Sequence, residues 1–144
     1  MWINPNPGRY PGISGDIHGM NAINMTGDPM DDQGHGTHVS GTIAAVGNDG
    51  VGVVGVAWEA QIMGLKFLST QGGTIGDAIT CLDYAIEMGA HLTNNSWGGG
   101  PPNQTLFELI QDARDAEQLF IAAAGNSANN NDISPIYPAT YPVD

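Results

Sequence analysis

Two kinds of apolar segment alternate along most of this chain of 144 residues, and this alternation limits the fold more than any other feature. Short continuous apolar runs predict strands at residues 60–68, 91–97 and 119–124. Before and between them, apolar residues at helical spacing predict helices at residues 34–46, 74–89 and 102–117. Such alternation over short links predicts parallel strands joined by right-handed crossovers. The predicted fold class is therefore α/β, a doubly wound parallel sheet with flanking helices.

The middle helix carries the clearest boundary signals. Thr74 precedes it and Asp77 follows three residues later, which is the spacing of a capping box. Gly89 follows the apolar stripe and predicts the end of the helix. Residues 1–33, by contrast, combine prolines and glycines with little periodicity, and we expect them to be mostly loop. Residues 34–144 are expected to form the alternating core.

The charge balance argues against two classes of partner. Three Lys or Arg residues against 15 Asp or Glu residues give a net charge of −12, which repels phosphate backbones and anionic lipid. The apolar runs are shorter than the about 20 residues that span a bilayer, and the first residues lack the pattern of a signal peptide. We expect neither nucleic acid nor a membrane as partner.

A histidine between two glycines opens the first predicted helix. Residues 34–42 have the sequence Gly-His-Gly-Thr-His-Val-Ser-Gly-Thr, which leaves room for a reactant beside His35. An imidazole that titrates near neutral pH suits general base catalysis. The alternative is that His35 only caps the helix.

His38 lies one helical turn after His35, so that both imidazoles fall on the same side. With Asp31 or Asp32 as a third ligand they suggest a zinc site, but the usual motif has a spacing of four residues and an intervening glutamate. The favoured interpretation is that His38 packs and supports the helix.

Asn126 and Ser96 lie where predicted strands end, which is where parallel sheets place their ligand sites. The Asn126 carboxamide can donate a hydrogen bond to a carbonyl oxygen that gains charge during acyl transfer. Alternatively, asparagine is used there because it tolerates a tight turn after Gly125. Ser96 is a poor candidate nucleophile, because it lacks the Gly-x-Ser-x-Gly pattern of a nucleophile elbow.

Four segments together resemble the subtilisin-like serine peptidases, or subtilases, in the order in which that family has them. They are His-Gly-Thr-His-Val-Ser-Gly-Thr-Ile at 35–43, Gly-Val-Val-Gly-Val-Ala at 52–57, Asn-Ser-Trp-Gly-Gly at 95–99 and Ala-Ala-Ala-Gly-Asn at 122–126. The resemblance extends from Ile17 to Tyr141. It implies that residues 1–144 are the central part of a peptidase domain, incomplete at both ends, of a secreted serine endopeptidase.

The resemblance also implies roles for individual residues. His35 corresponds to the general base and Asn126 to the oxyanion donor. A polypeptide substrate would pair with the backbone as an added strand, and a propeptide would lie outside this chain. The residues implied to line the primary specificity pocket are Ser96, Trp97, Gly98, Gly99, Ala123, Ala124 and Gly125.

Two family motifs do not occur in the 144 residues. The family has its acidic triad residue in Asp-Ser-Gly or Asp-Thr-Gly, and its nucleophile in Gly-Thr-Ser-Met-Ala. Asp16 precedes His35, but its segment resembles a different part of the family. We therefore expect this chain alone to be inactive, as part of a longer peptidase. The alternative is a non-catalytic remnant that serves as a peptide-binding interaction domain.

The resemblance includes a loop that binds calcium in the family. Asp49 lies in Val-Gly-Asn-Asp-Gly-Val-Gly-Val at residues 46–53, where one carboxylate and several carbonyl oxygens suit a hard cation. The alternative is an ordinary acidic turn. The acidic residues at positions 28, 31 and 32 allow the same two interpretations. The chemistry itself requires no cofactor, and Cys81, the only cysteine, is expected to be half-buried and unreactive.

Overall fold

The computed structural model describes residues 1–143, so the final residue of the predicted domain lies outside the described residues. Strands and helices alternate along residues 1–143 as predicted. Their bounds are β1 Gly19–Asn21, α1 His35–Ala44, β2 Gly64–Lys66, α2 Ile75–Glu87, β3 Leu92–Asn95, α3 Gln104–Asp115 and β4 Leu119–Ala122. None of the helices in residues 1–143 is both long and apolar enough to cross a bilayer.

The strands pair in parallel, which confirms the α/β fold class. β1 pairs with β2, and Gly19 lies opposite Gly64; β3 pairs with β4, and Leu92 lies opposite Leu119. Within residues 1–143 the strands form two sheets of two strands each. The chain divides into two compact units, of which the first comprises Met1–Cys81 and the second begins at Leu82. Each unit contains one of the sheets.

Strand β1 lies in the segment that we expected to be mostly loop. A Cβ atom on Gly19 would lie 1.8 Å from the carbonyl oxygen of Gly64, and Gly19 has a φ of +132°. The close approach of the two strands therefore requires glycine at this position. Because glycine and asparagine are rare in strands, the sequence gives no periodic signal here. Met20 is nonetheless fully buried in the first unit.

Helix α1 and strand β2 are both shorter than predicted. The helix ends at Ala44, because Ala45 has extended dihedral angles, and Val46 beyond it is 65% exposed. None of the helix residues is buried. Strand β2 has only three residues, all half-buried, instead of a buried run over residues 60–68. Its Lys66 ammonium donates to the Met30 carbonyl at 2.8 Å.

Both predicted ends of α2 are confirmed. The Asp77 amide donates to Thr74 Oγ1 at 3.1 Å, and the Thr74 amide donates to Asp77 Oδ2 at 3.0 Å, so the box is reciprocal. Beyond the helix Gly89 has a φ of +70°, and the Ala90 amide donates to the Ala85 carbonyl. Cys81 is buried rather than half-buried.

In the second unit, α3 begins at a side-chain cap and lies against β4. The Asn103 carboxamide oxygen accepts from the Leu106 amide at 2.9 Å. Apolar spacing in the sequence predicts Leu106, Leu109, Ile110 and Ala113 on the inner face of this helix; Leu106, Ile110 and Ala113 are buried, whereas Leu109 is half-buried. Gln118 then donates to the carbonyls of Ala85 and Ala90, which fixes the end of α2 to the start of β4.

Candidate functional site

His35 is the first residue of α1, and it is exposed. The preceding Gly34 has a φ of +89° and is the N-cap, so His35 lies inside the helix rather than capping it. Its backbone amide donates to Gln33 Oε1 at 3.0 Å. The alternative interpretation, in which His35 caps the helix, is therefore wrong. Its imidazole belongs to the exposed first residue of α1.

The side chain that caps α1 is Asp31, four residues before His35. Asp31 Oδ1 accepts from the backbone amides of Gln33 and Gly34, both at 2.9 Å. Its Oδ2 accepts from the Thr37 amide at 2.8 Å and from the Thr37 hydroxyl at 2.7 Å. The Thr37 hydroxyl, followed by the amides, holds the pKa of Asp31 well below its usual range. The carboxylate thus fixes the loop that presents His35.

His38 does not pack as predicted. It is exposed, because α1 has no buried face in this structure. Asp31 is occupied as the helix cap, and Asp32 pairs with Lys66 at 3.1 Å. Among residues 1–143, no three His, Cys, Asp or Glu side chains form a group that could hold a metal ion.

Asn126 follows the last strand in an exposed loop of the second unit. Pairing continues one residue past β4, because the Ala123 amide donates to the Asn95 carbonyl at 3.1 Å. Gly125 then has a φ of +97°, which turns the chain away from the sheet. The position accordingly suits either role given to Asn126, a turn residue or a hydrogen-bond donor.

Ser96 and Trp97 are half-buried at the end of β3, and both make local hydrogen bonds. Ser96 Oγ accepts from the Asn94 carboxamide at 2.9 Å, and Trp97 Nε1 donates to Asn95 Oδ1 at 3.2 Å. An amide donor cannot take a proton from Ser96, so this contact does not activate the hydroxyl.

The two predicted walls of the specificity pocket meet at one side chain that the sequence did not indicate. A Cβ atom on Gly125 would lie 2.6 Å from Cδ1 of Ile136, and one on Gly98 would lie 3.1 Å from Cγ2 of the same residue. The Gly99 amide donates to the Tyr137 carbonyl at 2.8 Å. The second unit therefore brings the segments at 96–99 and 123–125 together around Ile136.

Asp49 lies in an exposed loop, and residues 46–54 line an open depression of about 180 Å³. Asp49 Oδ1 accepts from the Val51 amide at 3.0 Å. The loop fits a hard cation in part: Asp49 Oδ2, the Asn48 side chain and the backbone carbonyls are oxygen donors of the right chemistry. The fit is partial because residues 46–54 contain only one carboxylate, that of Asp49.

Similarity to known proteins identifies the family of this chain. The model of the subtilase family matches residues 13–143, a range that contains all four motifs. This chain belongs to the subtilase family. The match confirms the resemblance found in the sequence.

Relatives of this subtilase chain include proteases of two Plasmodium species and of Lederbergia lenta. It is 39% identical over 120 residues to subtilisin-like protease 1 of Plasmodium vivax, covering 83% of this chain and 19% of the relative. It is 40% identical over 123 residues to subtilisin-like protease 2 of Plasmodium falciparum (isolate 3D7), covering 81% and 9%. Subtilisin BL of Lederbergia lenta is 41% identical over 120 residues, covering 81% and 43%. The chain thus spans about a fifth of the first of these relatives.

Proposed function

We propose that this subtilase chain carries the general base and the oxyanion donor of a serine endopeptidase. The observation that carries the proposal is the family match, which includes both the His35 motif and the Asn126 motif. The exposed position of His35 at the start of a capped helix supports it, because a base must be reachable by substrate.

In this proposal His35 accepts the proton of a serine hydroxyl as the oxygen attacks the peptide carbonyl, and later donates it to the leaving amine. Asn126 donates a hydrogen bond to the carbonyl oxygen as its negative charge develops. The 144 residues contain neither the Asp nor the Ser motif of the triad. As a separate polypeptide, they therefore would not hydrolyse peptides by this mechanism.

The substrate of the proposed peptidase is an extended polypeptide. Backbone groups of residues 96–99 and 123–125 would pair with it as an added strand, which places few demands on most substrate side chains. We also propose an extracellular location, which the resemblance to subtilases supports.

The first test is labelling of the 144-residue chain with a fluorophosphonate probe. We expect no covalent label, and stoichiometric labelling of Ser96 would overturn the assignment.

The second test uses a polypeptide in which this chain is joined to the Asp and Ser motifs of its own gene. It should hydrolyse peptides, and His35→Ala should abolish most turnover, whereas His38→Ala, an exposed histidine on the same helix, should leave it nearly unchanged. A gene without those motifs would favour the non-catalytic, peptide-binding alternative.

We further propose that Asp49 is a calcium ligand that stabilises the loop. Added Ca²⁺ should raise the melting temperature of the chain, and Asp49→Ala should remove the increase. Asp132→Ala is the matched control, since Asp132 is also an exposed aspartate in a turn but lies outside both candidate calcium sites. An equal increase in wild type and Asp49→Ala would exclude the site.

A further inference from the structure

Ile136 occupies the space between the two segments proposed to hold the substrate side chain. One of its methyl carbons faces Gly125, where a Cβ atom would approach it to 2.6 Å, and another faces Gly98, where a Cβ atom would approach it to 3.1 Å. Real Cβ contacts are essentially never shorter than 3.0 Å. Ile136 thus occupies space that side chains at these two positions would otherwise need.

The backbone of Ile136 is fixed on the same side as these contacts. Its amide donates to Thr140 Oγ1 at 3.0 Å, and its carbonyl accepts from the Thr140 amide at 3.0 Å and the Thr140 hydroxyl at 2.9 Å. The next residue, Tyr137, accepts from the Gly99 amide. A short hydrogen-bonded turn therefore keeps the side chain against both glycines.

A second anchor fixes the far end of this turn to α3. The Tyr141 hydroxyl accepts from the Asn103 amide at 2.7 Å and donates to the Asn103 carbonyl at 2.9 Å. The Tyr141 ring lies 5.4 Å from that of Phe107 and 4.7 Å from that of Tyr137, between ring centroids. Because the turn is held at both ends, the backbone of Ile136 cannot move away from the two glycines without breaking these contacts.

The side chain of Ile136 places four carbon atoms against the two segments, which reduces the volume left there for a substrate side chain. We propose that Ile136 limits the substrate side chain accepted between residues 96–99 and 123–125, so that the site takes peptides with a small residue, such as alanine, there. This inference rests on the proposed peptide-binding function of those segments. Steric discrimination by even one methylene is worth about 10-fold to 200-fold, so a phenylalanine should be rejected by at least 10-fold.

The test measures binding of two peptide amides to the full 144-residue chain by the chemical shifts of the Gly98, Gly99 and Gly125 amides. The peptides are acetyl-Ala-Ala-Ala-Ala-amide and acetyl-Ala-Ala-Ala-Phe-amide, uncharged so that the net charge of −12 does not repel them. We expect the alanine peptide to bind at least 10-fold more tightly to wild type. Ile136→Gly should reduce this ratio at least 10-fold or reverse it.

The matched control is Ile133→Gly, because Ile133 lies in the same loop and is 80% exposed. This variant should keep the wild-type ratio of affinities for the two peptides. Because unfolded protein weakens both apparent affinities equally, the ratio does not depend on the fraction of protein that is folded. Equal affinity of wild type for both peptides, or an unchanged ratio in Ile136→Gly, would overturn the role of Ile136 alone. No shift of the three glycine amides with either peptide in any variant would instead overturn the proposed peptide site, and this inference with it.

Discussion

Asp31 caps helix α1, and removal of its carboxylate should lower the stability of the fold. Replacing Asp31 with alanine removes the acceptor for three backbone amides and one hydroxyl. Loss of a helix cap costs about 0.5–2 kcal/mol. Since Asp31 is only half-buried, solvent weakens its charge interactions. We therefore expect Asp31→Ala to lower the free energy of unfolding by about 1–2 kcal/mol at pH 7.

The effect of this substitution should depend on pH in a defined direction. The pKa of Asp31 is lowered in the folded chain, so its carboxylate stabilises the fold fully above the unfolded pKa of about 3.9. That contribution is lost as the pH falls from there toward the folded pKa. The stability difference between wild type and Asp31→Ala should therefore be constant from about pH 7 to 5 and decrease below about pH 4.

The assay is urea unfolding followed by circular dichroism, combined with amide hydrogen exchange at Thr37, whose N–H bonds directly to Asp31. Asp28→Ala is the control and should change stability by less than about 0.5 kcal/mol, because Asp28 accepts only one amide. Equal losses in the two variants, or a difference that grows as the pH falls below 4, would refute the reasoning.

Three further outcomes are expected. In a polypeptide with the complete triad, Asn126→Ala should lower kcat by about 10²–10³, as for the oxyanion asparagine of subtilisin, with KM little changed; a loss confined to KM would contradict the donor role. Gly19→Ala should cost at least about 1–3 kcal/mol more stability than Gly15→Ala in urea unfolding. Both glycines have positive φ, but only Gly19 faces the carbonyl of Gly64, so equal costs would contradict the close approach. Burial raises the pKa of Cys81 to about 12, so iodoacetamide at pH 8 should alkylate it slowly in the native chain and rapidly in urea; rapid native labelling would contradict its burial.

Sequence reasoning succeeded where the determining signals are local. Thr74, Asp77 and Gly89 each act on backbone groups within a few residues, and the structure has the helix that they predict. The family motifs are also contiguous, and they identified the family. Periodicity overestimated the strands, because an apolar run continues past the residues that find a partner strand, as at β2.

The features that were missed depend on contacts distant in sequence or on residues without a distinctive pattern. Strand β1 exists because Gly19 allows Gly64 to approach, which no periodicity reveals. Ile136 touches glycines from two other segments, and an isoleucine in a loop carries no sign of this. Asp31 caps a helix through Thr37, six residues later, which is longer than the usual capping spacing.

The ion pair between Lys66 and Asp32 has a consequence for how the protein responds to salt. Lys66 is one of only three Lys or Arg residues against 15 acidic residues, and its ammonium is committed to Asp32 and to the Met30 carbonyl. The acidic residues therefore far outnumber the basic ones, and the mutual repulsion of their charges acts against the compact state. Dissolved ions screen this repulsion over about 10 Å at 0.1 M, and they have few favourable pairs to weaken. Moderate salt should therefore make this protein more resistant to unfolding, as in proteins adapted to brine.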